Sequence, residues 1–118
     1  MAGLITPSSA QAAAAGSEAW SDCPSQHVCF YTGDNGTGDM CAWSQDDDDW
    51  WSGAIVCSWA SRTRVQSVRN RGTSGAPVSY YTGAKLSGRV GCIASGTQGN
   101  LVGNGGAGYY LRSHTWKC

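Results

Sequence analysis

No run in this chain comes near the ~18 consecutive apolar residues of a membrane-spanning helix, so no membrane is expected among its partners. Charge of either sign is scarce. Eight lysines and arginines balance eight aspartates and glutamates, and only 14% of the 118 residues are charged. The basic excess that marks a nucleic-acid binder is therefore missing, and nucleic acid is not an expected partner. Helical periodicity is absent as well, since no window longer than a few residues repeats its apolar positions at helical spacing. The gaps between Cys23, Cys29, Cys41, Cys57, Cys92 and Cys118 never match the short spacing of a zinc or redox motif. The two histidines, His27 and His114, are far apart. No metal site and no cofactor are expected.

Catalytic constellations are also wanting. A serine nucleophile needs a histidine base and an orienting acid, and no Gly-x-Ser-x-Gly turn is present. His27 falls in the short loop between two cysteines, and His114 falls in an expected strand. A carboxylate pair for glycoside hydrolysis would have to come from Asp46-Asp47-Asp48-Asp49, or from Glu18 and Asp22. Neither source sets up convergence. No catalytic residue is expected, and the chain does not read as an enzyme. The glycine-rich stretch over residues 103–108 lacks the flanking strand and helix of a phosphate cradle and reads as a turn.

What is present is cysteine, glycine and tryptophan: six, seventeen and six of them. An even number of cysteines without metal spacing implies three disulfides and an oxidising, extracellular compartment. Six cysteines allow 15 connectivities. The most local choice joins Cys23 to Cys29, Cys41 to Cys57 and Cys92 to Cys118. The glycines imply many tight turns, and the tryptophans a small core filled by large side chains. Charge is segregated along the chain, with every acidic residue at or before Asp49 and every basic one at or after Arg62. The two halves either neutralise one another in the fold or form a dipolar surface that orients a partner.

An internal repeat organises the chain. Val28-Cys29-Phe30-Tyr31-Thr32-Gly33, followed by Gly38, returns as Val78-Ser79-Tyr80-Tyr81-Thr82-Gly83, followed by Gly88. Each copy opens as a strand of alternating large residues and breaks at glycine. Closing strands are expected over residues 65–69 and 110–114, with intermediate strands over 40–44, 54–59 and 89–94. Two copies of about four strands predict an all-β fold of two Greek keys packed as a sandwich.

The spacing Cys23-x5-Cys29-Phe30-Tyr31, the glycine fold-over, a serine-containing closing strand, the linker Asn70-Arg71-Gly72 and the second copy together resemble the small secreted proteins of peptidase inhibitor family I36. The resemblance spans residues 23–118. It implies a βγ-crystallin-like fold stapled by disulfides, and a secreted peptidase, or a protease-like subunit, as protein partner. The chain departs from characterised metalloproteinase inhibitors of the family in lacking a second short Cys-to-Cys loop, so no reactive-site residue is carried over. Residues 1–21 read as a separate segment, the tail of a signal peptide with Ala10-Gln11-Ala12 as cleavage pattern, or else a flexible arm. Residues 22–118 are the crystallin-like domain.

Four features compete for the role of functional site. The aspartate run suits calcium by chemistry, yet calcium-binding crystallins carry their acidic signature just before the closing strand, where this chain has Arg62-Thr63 and Gly108-Tyr109. It reads instead as a solvated loop whose crowding would be relieved by Arg62 or Arg64. Trp50 and Trp51, if on a strand, point to opposite faces, one into the core and one outward as an interface anchor. Arg62 and Arg64, with Arg69 and Arg71 beyond them, form either a solvated edge or a dock for an acidic surface. The segment Lys85-Leu86-Ser87-Gly88-Arg89-Val90-Gly91, just before Cys92, is the expected partner-binding loop, with Lys85 or Arg89 suited to a trypsin-like pocket and Leu86 or Val90 to a thermolysin-like one. Inhibition of a secreted peptidase by a rigid loop is thus the leading expectation. The alternatives are a non-inhibitory adaptor of a secreted assembly, docking through residues 13–21, and a module that binds carbohydrate or cell wall.

Overall fold

The computed structural model describes Trp20 and residues 22–118. The expectations for a signal-peptide remnant and for a docking arm lie outside these residues, Trp20 apart. Seven strands form two antiparallel sheets. They are β1 (Val28–Tyr31), β2 (Met40–Trp43), β3 (Ser67–Asn70), β4 (Val78–Gly83), β5 (Ser87–Ile93), β6 (Gln98–Asn100) and β7 (Ser113–Thr115). One sheet runs β2-β1-β3-β6 and the other β5-β4-β7.

The repeat explains the hairpins. In each copy a Thr-Gly pair ends the first strand, and a glycine with positive φ, Gly38 or Gly88, lets the chain fold back. A serine of the closing strand then locks the fold-over. Ser67 Oγ donates to Gly33 O at 2.7 Å and accepts from Gly36 N at 2.9 Å. Ser113 Oγ donates to Gly83 O at 2.6 Å and accepts from Leu86 N at 3.2 Å. The same hydroxyl therefore does the same work in both halves.

The halves also exchange edges. β6, from the second copy, pairs with β3 of the first. In return Asp47, from the first copy, bridges to His114 on β7. This exchange corrects two expectations. Residues 54–59 form no strand, because Asp47 occupies the β7 edge and Gly53, with φ 90°, turns the chain outward. β6 went unforeseen because Gln98-Gly99-Asn100 carries no apolar or β-branched signal. The closing strands are also shorter than expected: Val65 joins only an isolated bridge with Tyr109.

β1 is buried on both faces. Val28 and Phe30 enter the main core between the sheets, with Trp43, Trp50, Val68, Val78, Tyr80 and Leu111. Cys29 and Tyr31 point the other way into a small cluster with Cys23, against which Trp20 packs. Trp20 meets the Tyr31 ring edge-on at 5.4 Å. All six cysteines pair as expected, Cys23–Cys29, Cys41–Cys57 and Cys92–Cys118.

Candidate functional site

The acidic run lies between β2 and the exposed residues 51–56, and each aspartate has its own partners. Asp46 accepts from Thr115 Oγ1 at 2.9 Å and from Trp116 N at 2.7 Å. Asp47 accepts from Trp43 Nε1 at 2.9 Å and from Asp49 N at 3.0 Å. The backbone carbonyl of Asp48 accepts from Lys85 N at 2.6 Å. Asp49 takes both prongs of the Arg112 guanidinium, at 2.8 and 3.0 Å. The crowded carboxylates are relieved by Arg112 and by neutral donors, not by Arg62 or Arg64 as expected. Arg112 Nε and Nη2 hold the Asp49 carboxyl down to about 2, helped by the N–H of Trp51. Among the described residues no three His, Cys, Asp or Glu side chains are grouped to hold a metal ion.

One tryptophan is buried and the other exposed, as expected, but the pair lies on a turn and not on the strand that the expectation assumed. Trp50 is fully buried, so it is a core residue and leaves the interface set. It stacks on Trp43 at 4.4 Å, and its Nε1–H donates to His114 Nδ1 at 2.9 Å. Trp51 is 47% exposed and lies against the Arg112 guanidinium, 3.6 Å from ring centre. From there residues 51–56 loop into solvent. Ile55 and Val56 are 46% and 55% exposed, so this loop holds half of the large exposed hydrophobics among the described residues. Both ends of the loop are fastened. Cys57 N donates to Trp50 O at 2.9 Å across its base, and Cys57 is itself bonded to Cys41 on β2.

The expected loop over residues 85–90 is the fold-over hairpin of the second key. Lys85 and Leu86 occupy its turn with φ of 57° and 58°, and Ser87, Arg89 and Val90 lie on β5 at the edge of its sheet. Its tip is tied to the acidic run through Lys85 N, which places it beside the root of loop 51–56. Arg64 lies over the exposed Tyr110 ring at 4.7 Å, and Arg62 is exposed with one nitrogen on Ser58 O. Tyr110 and Arg112 flank the buried Leu111, so the Arg64–Tyr110 and Trp51–Arg112 stacks are anchored two residues apart in the chain. Arg112, Tyr110, Ile55 and Val56 went unnoticed in the sequence. Ile55-Val56 carried a β-branched signal that reads equally well as a strand, and only the fold exposes it.

Residues 16–93 match the family model for peptidase inhibitor family I36. The chain belongs to this family. Both the 51–56 loop and the β4–β5 hairpin fall within the matched span. No curated protein matches the sequence. Among solved structures the chain is similar to one described as "Evolution of the eye lens beta-gamma-crystallin domain fold", at 14% identity, a TM-score of 0.59, and coverage of 79% of this chain and 87% of that one. The likeness is one of fold. The small size, three disulfides and family membership of this I36 protein are consistent with an extracellular location.

The same face holds a titration switch of stability. His114 is buried, with Nε2 2.8 Å from Gln45 O and Nδ1 receiving the Trp50 N–H. The neutral ring with its proton on Nε2 satisfies both contacts, whereas a proton on Nδ1 would face another donor. Burial depresses the His114 pKa, against the raising effects of the Gln45 carbonyl, Asp47 and Asp46. Below the ordinary value of 6.5 the unfolded chain takes up a proton that the folded chain refuses. Stability is therefore full above that pH and declines as pH falls from there toward the folded value. Asp49 adds a second loss as pH falls from 3.8 toward about 2. The melting temperature is expected to fall between neutral pH and pH ~5. A flat profile across that range would show that His114 titrates as it does in the unfolded chain.

Proposed function

We propose that this I36 protein inhibits a secreted peptidase by seating loop 51–56 in the enzyme's cleft, with the β4–β5 hairpin as a flanking contact. The protein itself performs no chemistry. The supporting observation is the concentration of Trp51, Ile55 and Val56 on one short loop closed at its base and fastened by a disulfide. Rigid apolar side chains lose little entropy on docking, and aromatic anchors with a stacked arginine are typical of interface hot spots. Ile55 and Val56 suit a peptidase with an apolar primary pocket, as thermolysin-like enzymes have. Lys85 and Leu86, in left-handed turn conformation, serve as side contacts and not as an extended substrate mimic. Arg64 extends the same docking surface through the Tyr110 stack, and Arg62 lies beside it with one nitrogen on Ser58 O.

Titration against thermolysin-like and trypsin-like peptidases tests the proposal. The expected result is stoichiometric inhibition of the first class. The double substitution Ile55→Asp, Val56→Asp should weaken inhibition by about 30-fold or more, the ~2 kcal/mol of an interface hot spot. Lys85→Ala should have a smaller effect. Inhibition unchanged by the double substitution would move the reactive surface elsewhere.

A further inference from the structure

Away from loop 51–56, on the other side of the Gln45-Asp46 wall, the chain forms an open polar cleft of about 580 Å³. Its walls come from four separate segments. They are the Cys23–Cys29 loop at Gln26, the chain after β2 at Ser44 to Asp46, the inter-key linker at Gly72 to Ser74, and Trp116 after β7. The volume falls within the ~300–1,000 Å³ of ordinary small-ligand sites.

The walls are fastened to one another, so the cleft exists before any ligand arrives. Gln26 N donates to Arg71 O at 2.8 Å, Arg71 N to His27 O at 2.9 Å, and an Arg71 guanidinium nitrogen to Cys23 O at 2.7 Å. The buried Asn70 holds the other end of the linker through its Oδ1, which accepts from Gly72 N at 2.8 Å. Asp46 Oδ1 holds Trp116 N. The indole of Trp116 lies directly on Gly72, where any side chain would strike its ring. The absence of a Cβ at position 72 is thus what seats the ring beside the cleft. Trp116 Nε1 is covered, so the half-exposed ring offers its carbon surface and not its N–H.

The lining chemistry is selective. Gln26 and Gln45 carry amides that donate and accept, and Ser44, Thr73 and Ser74 carry hydroxyls that do the same. All five are exposed, and among the described residues none has its side chain engaged within the protein. The one charged lining group is the Asp46 carboxylate, and no lysine or arginine lines the cleft. Phosphate, sulfate and uronate ligands are therefore disfavoured, and a lipid would find too little apolar wall. A neutral sugar fits on both counts. Its hydroxyls match mixed donors and acceptors, and the partly positive C–H face of a pyranose matches the negative face of an indole.

We infer that this cleft is a carbohydrate-binding site that takes neutral pyranose units of a polysaccharide against Trp116. The site lies outside the loop proposed to inhibit a peptidase, so the chain would hold an inhibitor at a polysaccharide surface.

The test mixes the intact protein with insoluble cellulose, chitin and starch and measures depletion from the supernatant. Soluble cellohexaose and chitohexaose are titrated in parallel by tryptophan fluorescence. Retention on at least one neutral polysaccharide is expected. Trp116→Ala should weaken it about tenfold, the ~1.4 kcal/mol equivalent of one lost stacking contact. Thr73→Tyr, which fills the cleft from an exposed turn, should weaken it as well while leaving the melting temperature and peptidase inhibition unchanged. Three results would each overturn the inference: no retention on any of these polysaccharides, retention that neither substitution alters, or binding of a peptide digest to the cleft where no oligosaccharide binds. None of them bears on inhibition, which is read separately.

Discussion

In a reducing buffer the chain is expected to lose its cooperative unfolding transition altogether. The three disulfides close loops with sequence separations of 6, 16 and 26 residues. By loop-closure entropy these contribute together about 9 kcal/mol. The whole stability of a small domain is ~5–15 kcal/mol, and a chain of this size buries a modest share of its surface. Removing the covalent bridges therefore removes most of the margin. Near-ultraviolet circular dichroism and urea unfolding, with thiols alkylated after reduction, read the outcome directly. An unchanged urea midpoint would show that packing alone holds the sheets. The pair Cys41→Ala, Cys57→Ala separates the contributions. It should cost about 3 kcal/mol and, by freeing the base of loop 51–56, also weaken peptidase inhibition.

Trp50→Ala should be the most damaging single substitution, at about 5 kcal/mol or more. The side chain is fully buried and touches both Trp43 and Phe30, with ring centres at 4.4 and 4.7 Å. Truncating a buried tryptophan costs ~3–5 kcal/mol through lost transfer energy and the cavity left behind. A second loss follows, because His114 Nδ1 then has no donor in a dry site, a penalty of ~1–3 kcal/mol. Trp50→Phe tests the two parts separately. It retains most of the volume, so its cost should be smaller, and the remaining deficit reports the orphaned imidazole. The same variant should lessen the decline of stability below pH 6.5 without abolishing it, since a proton on Nδ1 no longer meets the indole N–H while burial still opposes the charge. Urea unfolding at neutral pH checks the ranking. Equal losses for alanine and phenylalanine would place the whole effect in the hydrogen bond.

Much of the architecture is written locally. The Tyr-Thr-Gly endings of β1 and β4 carry both a strand signal and its interruption, and these need no distant partner to be read. Trp50 and Trp51 do divide between core and surface, but on a turn, so the division comes from the packing of Trp50 against Trp43 and Phe30 and not from strand alternation. The nearest-neighbour cysteine pairing held because short loops are the least costly to close. By contrast, nothing local marks Gln98-Gly99-Asn100 as a strand. It becomes one because β3 presents a free edge when the chain returns. Nor does Ile55-Val56 reveal its fate: its β-branched pair looks like strand, yet it is Asp47 that bridges to β7, and Ile55-Val56 stays outside both sheets.

The candidate site follows the same division. Trp51, Arg64 and Lys85 could be singled out by residue type alone. Trp51 and Arg64 owe their setting to Arg112 and Tyr110, and Lys85 owes its own to the Asp48 carbonyl, partners distant in sequence that meet them only after the halves exchange edges. The polar cleft is more extreme still, since its walls come from four segments whose serines, threonines and amides look like ordinary surface.

By itself the amino-acid sequence determined an all-β, doubly repeated, disulfide-bonded chain with the residue pattern of a peptidase inhibitor family. Those properties rest on side-chain alternation, glycine conformation and cysteine number, all of which act over a few residues. Only the tertiary structure decided which segments cross between sheets, which of the acidic residues meets Arg112, and which apolar residues stay outside. Those outcomes depend on which strand edges remain unpaired once the core closes, a competition among contacts distant in sequence.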